Sequence, residues 1–396
     1  MMKLKELKPD IYYVGAIDWD RRLFDELIPL PDGTSYNAYL IKGSKKIALI
    51  DTVDPTKADV LINNLNQLGI KNINYVIANH VEQDHSGSLP QILAKYPKAK
   101  IVAAPKCKGM LVDLLVIPED KFITVDDKET LSLGNKTLEF IHFPWVHWPE
   151  TMLTYLKEDK ILFPCDLFGS HLATSDLYVT DEATVYEAAK RYYAEIMMPF
   201  RTIIQKNFDK VKDLKIDIIA SSHGPVYDNP RFILNAYRQW VFDPPENIVV
   251  LPYVSMHGST KKMVEHFVGA LIERGVTVKQ FDLANTDVGK LAMALVDAAT
   301  VVIGTPTVLT GAHPAVVYAT YLVNALKPKL KFVSIIGSYG WGSKAVEQLA
   351  EIISSLKVEV LDTVVCKGFP RKGDFSSLDR LADTIAKKHK EMNCGS

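Results

Sequence analysis

Cysteine is scarce in this chain, with four in 396 residues, at Cys107, Cys165, Cys366 and Cys394. None forms a C-x-x-C pair, which argues against a zinc ribbon, a four-cysteine iron centre or a disulfide framework. A reducing, cytoplasmic setting is the simplest fit, with Cys394 expected to be free and exposed in a short polar tail. Long apolar runs are missing too. No stretch approaches the about 18 apolar residues that suggest a membrane helix, and residues 1–8 (MMKLKELK) lack the apolar core of a secretory signal. Neither charge is in excess: 46 Lys and Arg against 47 Asp and Glu leave a net charge of −1. That balance gives no reason to expect nucleic acid or an anionic membrane as a partner. The chain also lacks the Gly-Lys-Ser/Thr of a P-loop and the G-x-G-x-x-G of a dinucleotide site, so neither chemistry is expected.

What is present suffices for two domains. A chain of this length, 47% hydrophobic and 23% charged, can build two separate cores. Residues 10–53 are strand-rich, with β-prone runs at 11–14, 36–41 and 47–51 separated by turn signals at Pro31-Asp32-Gly33 and Gly43-Ser44. Helical spacing follows at 55–69 through Val60, Leu61, Leu65 and Leu68. Strands are expected at 73–78, 101–104, 122–125, 138–143 and 161–164, helices at 87–95, 106–115 and across 182–213, and a last strand at 215–220. This is an α/β layered domain. At 241–246 (VFDPPE) the composition shifts, and Pro244-Pro245 marks a boundary between a domain at 1–243 and another at 247–396. In the second, strands at 248–253, 276–282, 299–304, 331–336 and 358–365 alternate with helices near 260–274, 288–298, 314–326, 343–356 and 376–389. Such alternation predicts a doubly wound parallel sheet.

The densest chemistry lies at Asn79-His80-Val81-Glu82-Gln83-Asp84-His85-Ser86-Gly87. Two imidazoles and two carboxylates crowd one strand-to-helix loop, which points to a metal site rather than to a merely hydrated loop. His80, Glu82 and Asp84 alternate, so an extended backbone would turn them one way and His85 the other. Further candidates stand at strand ends: His147 after 138–143, Asp166 after 161–164, and His223 after 215–220. Singly, each reads as a hydrogen-bonded loop residue. As a set they offer seven N and O donors without a thiolate, a combination suited to iron or manganese.

In the second domain, Ser255-Met256-His257-Gly258-Ser259-Thr260 joins the first strand to the first helix. Its glycine, hydroxyls and backbone N–H groups at a helix N-terminus suit a phosphate. Thr305-Pro306-Thr307 and Ser338-Tyr339-Gly340-Trp341-Gly342 follow the third and fourth strands, where a ligand of such a sheet lies. Trp341 offers an aromatic face to an isoalloxazine ring, and His257 is expected near the phosphate. A hydroxyl-rich loop alone is commonly a helix cap, but three such loops together favour FMN.

H-x-E-x-D-H, a strand-end His, a strand-end Asp and a final Ser-His-Gly resemble the metallo-β-lactamase fold, whose zinc hydrolases usually carry H-x-H-x-D-H. Glu82 in place of the second His, with a flavodoxin-like half behind it, resembles the flavodiiron proteins. The likeness extends to Ser35-Tyr36-Asn37-Ala38-Tyr39-Leu40, His147-Trp148-Pro149 and Ser338-Tyr339-Gly340-Trp341-Gly342. It implies an N-terminal metallo-β-lactamase-like αββα sandwich and a C-terminal flavodoxin-like sheet. It also implies two irons, one held by His80, Glu82 and His147 and the other by Asp84, His85 and His223, with Asp166 bridging. Cys165 would then point away as a buried structural thiol. His142 and His171 have no assigned role: satisfied structural histidines are expected, with support of the ligands from behind as the alternative. Tyr193 and Trp148 are pocket candidates with a core role as the alternative.

The implied activity is transfer of electrons from FMN to the diiron centre, reducing O2 to water or NO to N2O. The implied assembly is a head-to-tail homodimer or a dimer of dimers. With no rubredoxin or flavin-reductase segment within the chain, the donor is expected to be a separate rubredoxin-like protein or a reduced deazaflavin. One departure stands out: after Asp18-Trp19-Asp20-Arg21-Arg22-Leu23-Phe24 the family often has His, and here it is Asp25, which cannot act as a neutral imidazole donor. The rival reading is a zinc hydrolase fused to a flavodoxin-like module, with metal-bound hydroxide as nucleophile. A third is an electron carrier with a structural metal, which an open seven-ligand set disfavours.

Overall fold

The strand Tyr75–Ala78 shows how the first domain is layered. Val76 and Ala78 join a core with Leu61, Leu65, Leu89, Ile92, Cys107 and Leu111 from the helices Ala58–Gln67, Leu89–Lys95 and Pro105–Leu115. Ile77, between them, joins a second core with Phe140, Met152, Leu156, Ile161 and Phe163. Alternate side chains of one strand thus serve two cores, as period-two geometry requires. The computed structural model of the chain describes residues 5–393, so Cys394 lies outside the described residues.

Tyr75–Ala78 sits inside a seven-stranded sheet, in the order Lys5–Lys8, Ile11–Tyr13, Tyr39–Lys42, Ile47–Ile50, Tyr75–Ala78, Lys100–Ala103 and Phe122–Thr124. A five-stranded sheet faces it, in the order Thr130–Ser132, Thr137–His142, Met152–Leu156, Ile161–Phe163 and Ile218–Ile219. The core that holds Ile77 fills the space between them. This is the expected sandwich of two sheets flanked by helices. The central strand Met152–Leu156 escaped the sequence reading because all five of its residues are buried, which erases any alternation.

The expected helical stretch at 182–213 is interrupted. A helix at Glu182–Tyr192 loosens into a π-turn at Tyr193–Met197, then tightens at Met198–Phe200 before Arg201–Asn207. A further helix, Pro230–Phe242, was not anticipated. The chain divides into two compact units, one reaching Tyr193 and resuming over Phe200–Val241, the other combining Ala194–Pro199 with the residues from Phe242 onward.

The second unit orders its strands Thr277–Asp282, Glu246–Tyr253, Ala298–Val308 and Phe332–Tyr339, and then two short pieces, Glu359–Val360 and Val364–Lys367. All these pairings are parallel, which gives the flavodoxin-like order 2-1-3-4-5. The long helices Ser259–Glu273 and Lys372–Asn393 cover one face through Met263, Phe267, Leu378, Leu381 and Ile385. Strand order reverses between Glu246–Tyr253 and Ala298–Val308, the place where a doubly wound sheet opens a crevice.

Candidate metal centre and cofactor cleft

His80 lies just beyond the strand Tyr75–Ala78, and a buried latch fixes the chain there. Asn79 donates its backbone and side-chain N–H to the two oxygens of Asp51 at 2.8 and 2.9 Å, and its side-chain oxygen accepts from Thr154 at 2.7 Å. Beyond the latch the loop is not extended. Glu82 caps a short helix at Gln83–Ser86, so Asp84 and His85 are set by a helical turn and not by the alternation expected from the sequence. His147 and Asp166 follow the strands Thr137–His142 and Ile161–Phe163, and His223 follows Ile218–Ile219.

Seven side chains meet. His80, Glu82, His147 and Asp166 each bring a donor atom within 4.8 Å of the others', and Asp84, His85 and His223 form a second group of the same tightness. Asp166 faces both groups. Its Oδ2 lies 3.6 Å from His80 Nε2 and 3.3 Å from His147 Nε2, while Oδ1 lies 3.0 and 3.3 Å from His85 Nε2 and His223 Nε2. Glu82 approaches His80 and His147 at 3.1 and 3.2 Å, and Asp84 approaches His85 and His223 at 3.3 and 3.2 Å.

Outer partners aim the imidazoles. Glu150, buried, accepts from His80 Nδ1 at 2.5 Å and from the Val81 N–H at 3.1 Å, which turns His80 Nε2 into the cluster. The Ser35 carbonyl accepts from His223 Nδ1 at 2.7 Å. Tyr192 donates its hydroxyl to Asp166 Oδ1 at 2.9 Å. The sequence reading named neither Glu150 nor Tyr192, although Glu150 stands three residues after His147.

Burial alone would lower the four histidines, but the facing carboxylates outweigh it. They raise His80 and His85 to about 10 and His147 and His223 to about 9. Against burial, which would raise it, Asp166 is held well below the usual carboxylate range by the charge of His85 and by hydrogen bonds from His147 and His223. The cluster thus carries its own positive charge as protons, which a metal would replace. The fit to a metal is good. Both oxygens of Asp84 and both ring nitrogens of His85 are buried without a well-directed hydrogen bond, and the nitrogen and oxygen donors suit a hard or borderline cation.

Other expected residues fall differently. The Cys165 thiol does not point away: its Sγ lies 4.0 Å from Asp166 Oδ2, and burial pushes its pKa well up, so it stands there as a thiol. His142 bonds the Val125 carbonyl at 3.1 Å, and His171 bonds Thr34 Oγ1 at 2.9 Å through Nδ1. His171 is nonetheless close to the cluster, its ring 4.7 Å from that of His223. Trp148 packs edge-on against His80 at 5.1 Å, whereas Tyr193 is fully buried among Tyr237 and Trp240. Asp25 occupies an exposed hairpin tip at φ +50°. Its carboxyl is raised to about 6 by desolvation and by the facing Glu82.

In the second unit, a cleft of ≈ 220 Å³ opens at the carboxyl ends of the parallel strands. Ser255, Met256, His257, Ser259, Thr260, Pro306, Thr307, Ser338, Tyr339 and Gly340 line it, joined by Gly368, which the sequence reading did not name. Gly258, at φ +88°, caps the helix Ser259–Glu273, and Ser255 Oγ accepts from the Lys261 N–H at 3.1 Å. The cleft therefore has a helix N-terminus, hydroxyls and backbone donors at one end, as a phosphate needs. Thr305 is buried, its hydroxyl used by the Pro306 carbonyl and the His313 N–H. Trp341 is 79% exposed, and neither it nor Gly342 is among the residues lining the cleft.

The two units together define a metallo-β-lactamase-like metal domain followed by a flavodoxin-like domain. The model of the ODP family beta lactamase matches residues 34–224, and that of flavodoxin matches residues 251–383. Among the relatives, a coenzyme F420H2 oxidase of Methanothermobacter marburgensis is 32% identical, over 90% of this chain and 91% of its own length. A nitric oxide reductase of Moorella thermoacetica is 34% identical, over 89% and 90%. Among solved structures, rubredoxin oxygen:oxidoreductase from Desulfovibrio gigas superposes with a TM-score of 0.94 at 28% identity, covering 98% of this chain and 99% of that one. The flavodiiron protein from Giardia intestinalis gives a TM-score of 0.93 at 28% identity, covering 99% and 98%. The chain belongs to the flavodiiron proteins, a family of oxidoreductases.

Proposed function

We propose that this protein passes electrons from FMN in its second unit to a diiron centre in its first, reducing O2 to water or NO to N2O. In this reading His80, Glu82 and His147 hold one iron, Asp84, His85 and His223 the other, and Asp166 bridges. One observation carries it: the two oxygens of Asp166 face different histidine pairs, Oδ2 toward His80 and His147, Oδ1 toward His85 and His223. A single tetrahedral zinc needs no such division. The hydrolase alternative is further disfavoured by Glu82 and by the flavodoxin match over residues 251–383.

When bound, two irons would supply two electrons and open coordination positions, and reduced FMN two more; two electrons couple two NO, and four reduce O2. The chain itself positions the donors. Glu150 and the Ser35 carbonyl fix the imidazole tautomers of His80 and His223, a second layer that tunes such sites. Tyr192 keeps a proton at Asp166 Oδ1, and Trp148 and Phe200 screen His80 and His147 from water. Ser255, Met256, His257, Gly258, Ser259 and Thr260 would receive the FMN phosphate, with Pro306, Thr307 and residues 338–340 along the rest of the cofactor.

Relatives named for F420H2 and for rubredoxin support a separate donor of one of these two kinds. A head-to-tail dimer, or a dimer of two such dimers, would bring the flavin of one copy to the metal of the other. No helix among the described residues is long and apolar enough to cross a membrane, in keeping with a cytoplasmic enzyme. The deciding experiment measures iron, zinc and flavin in the purified protein, then reduces it anaerobically and adds O2 or NO. About two irons per chain with FMN, and consumption of either gas, are expected. Zinc alone, with no flavin taken up, would overturn the reading.

A further inference from the structure

His171 stands beside the metal cluster and outside its proposed ligand set. Its ring lies 4.7 Å from that of His223 and 4.8 Å from that of Tyr192. Phe24 packs against it at 5.2 Å. The Ser170 N–H donates to the His223 carbonyl at 3.2 Å, so backbone pairing keeps the two histidines side by side. Asp166, Glu82 and His85 all act electrostatically on the ring, which puts it within reach of both halves of the cluster. The side chain is only 7% exposed. No carboxylate pairs with it among the described residues, so burial keeps the ring neutral. Its Nδ1 lies 2.9 Å from Thr34 Oγ1. The Thr34 hydroxyl has one proton and two acceptors in reach. The Ser35 carbonyl is 3.3 Å away, long for a hydroxyl bond to oxygen, and already takes the His223 Nδ1–H at 2.7 Å. The Thr34 proton therefore goes to His171 Nδ1, and the ring carries its own proton on Nε2. That Nε2 is buried without a hydrogen-bond partner. An unpaired buried N–H is costly, and native proteins leave few of them without a use.

We infer that the His171 Nε2–H is a hydrogen-bond donor to the small ligand that the metal cluster receives, a diatomic or anion ending in oxygen or nitrogen. The inference rests on the proposed function. Thr34 fixes the tautomer, and His223, Tyr192 and Phe24 hold the ring, so the donor is aligned before any ligand arrives. A preorganised donor in a buried pocket favours a ligand that gathers negative charge, and both O2 and NO gain electrons at this site. His171 thereby selects ligands that accept a hydrogen bond.

The test titrates azide, an anion that accepts hydrogen bonds, into the oxidised iron- and FMN-loaded full chain and follows the visible spectrum. Two variants divide the roles of the ring. An asparagine amide reaches about as far as Nδ1, and a glutamine amide about as far as Nε2. His171→Asn therefore keeps the Thr34 bond and loses the inner donor, whereas His171→Gln does the reverse. Both should hold as much iron as the parent. Azide should bind His171→Asn about tenfold or more weakly than the parent, the worth of a hydrogen bond to a charged group, and His171→Gln nearly as tightly as the parent. Crystals of the parent's azide complex should place Nε2 about 3 Å from the anion. A residue that only props its neighbours through Thr34 would give the opposite order, with His171→Gln the damaged variant. That order, loss of iron from His171→Asn, or equal azide affinity in all three iron-loaded proteins would overturn the donor and leave the proposed function standing. A parent chain that takes up no iron would overturn the proposed function and this inference with it.

Discussion

Glu150 illustrates how much a single residue outside the ligand set controls. Its carboxylate fixes His80 Nδ1 at 2.5 Å and holds the Val81 N–H, so one side chain orients both the ring and the loop that carries Glu82. Glu150→Ala should weaken iron binding about 10–100-fold, measured by chelator competition, with the far-ultraviolet circular dichroism unchanged. The histidines give a second prediction. Their pKa values stand at about 9 to 10 in the metal-free cluster, above the ordinary 6.5, so at pH 7 they carry protons that a metal must displace. Metal loading in weak buffer should release protons, and affinity should rise with pH up to about 10, where the displaced protons leave unaided. Indicator dye and stopped-flow mixing read both; loading with no proton release would contradict the protonated cluster.

At the scale of elements, the second unit depends on where strands end and helices begin. Gly258 has φ +88° at the cap of Ser259–Glu273, a conformation that costs other L-residues about 1–2 kcal/mol. Nothing lies within 4 Å of a Cβ built there, so Gly258→Ala acts through backbone strain and not through collision. It should weaken FMN binding by about tenfold, for 1.4 kcal/mol of misfit in the phosphate loop, measured by quenching of flavin fluorescence. Gly304 fails for the opposite reason, since a Cβ there would sit 2.6 Å from that of Tyr253, forcing apart the two strands that frame the crevice.

At the scale of the whole molecule, stability of the second unit should depend on acid through His389. Its two nitrogens bond Thr300 and Asn247 at 2.7 and 2.8 Å, tying the last helix to the sheet. Burial lowers its pKa from 6.5 to about 4. Between those values the unfolded chain binds a proton that the folded one refuses, so stability is full above 6.5 and is lost as pH falls toward 4. The unfolding midpoint of this unit, followed by urea titration at stepped pH, should drop across that window, and His389→Gln should flatten the dependence. The chain order alone announced much of this molecule. Strand–helix alternation, Pro244-Pro245 and the loop from His80 to His85 are local patterns, and local patterns survive in a linear text. The glycine and hydroxyl turn at residues 255–260 is equally local, because a helix cap and its donors are consecutive. Tertiary structure alone decided the rest. Glu150 aims His80 from seventy positions away, Met152–Leu156 has no alternation to read, and Trp341, aromatic and well placed in sequence, stands 79% exposed. The meeting of His80, Asp166 and His223 depends on strand order and register, which arise from packing two sheets against each other, and no short stretch of sequence encodes a distance across that interface.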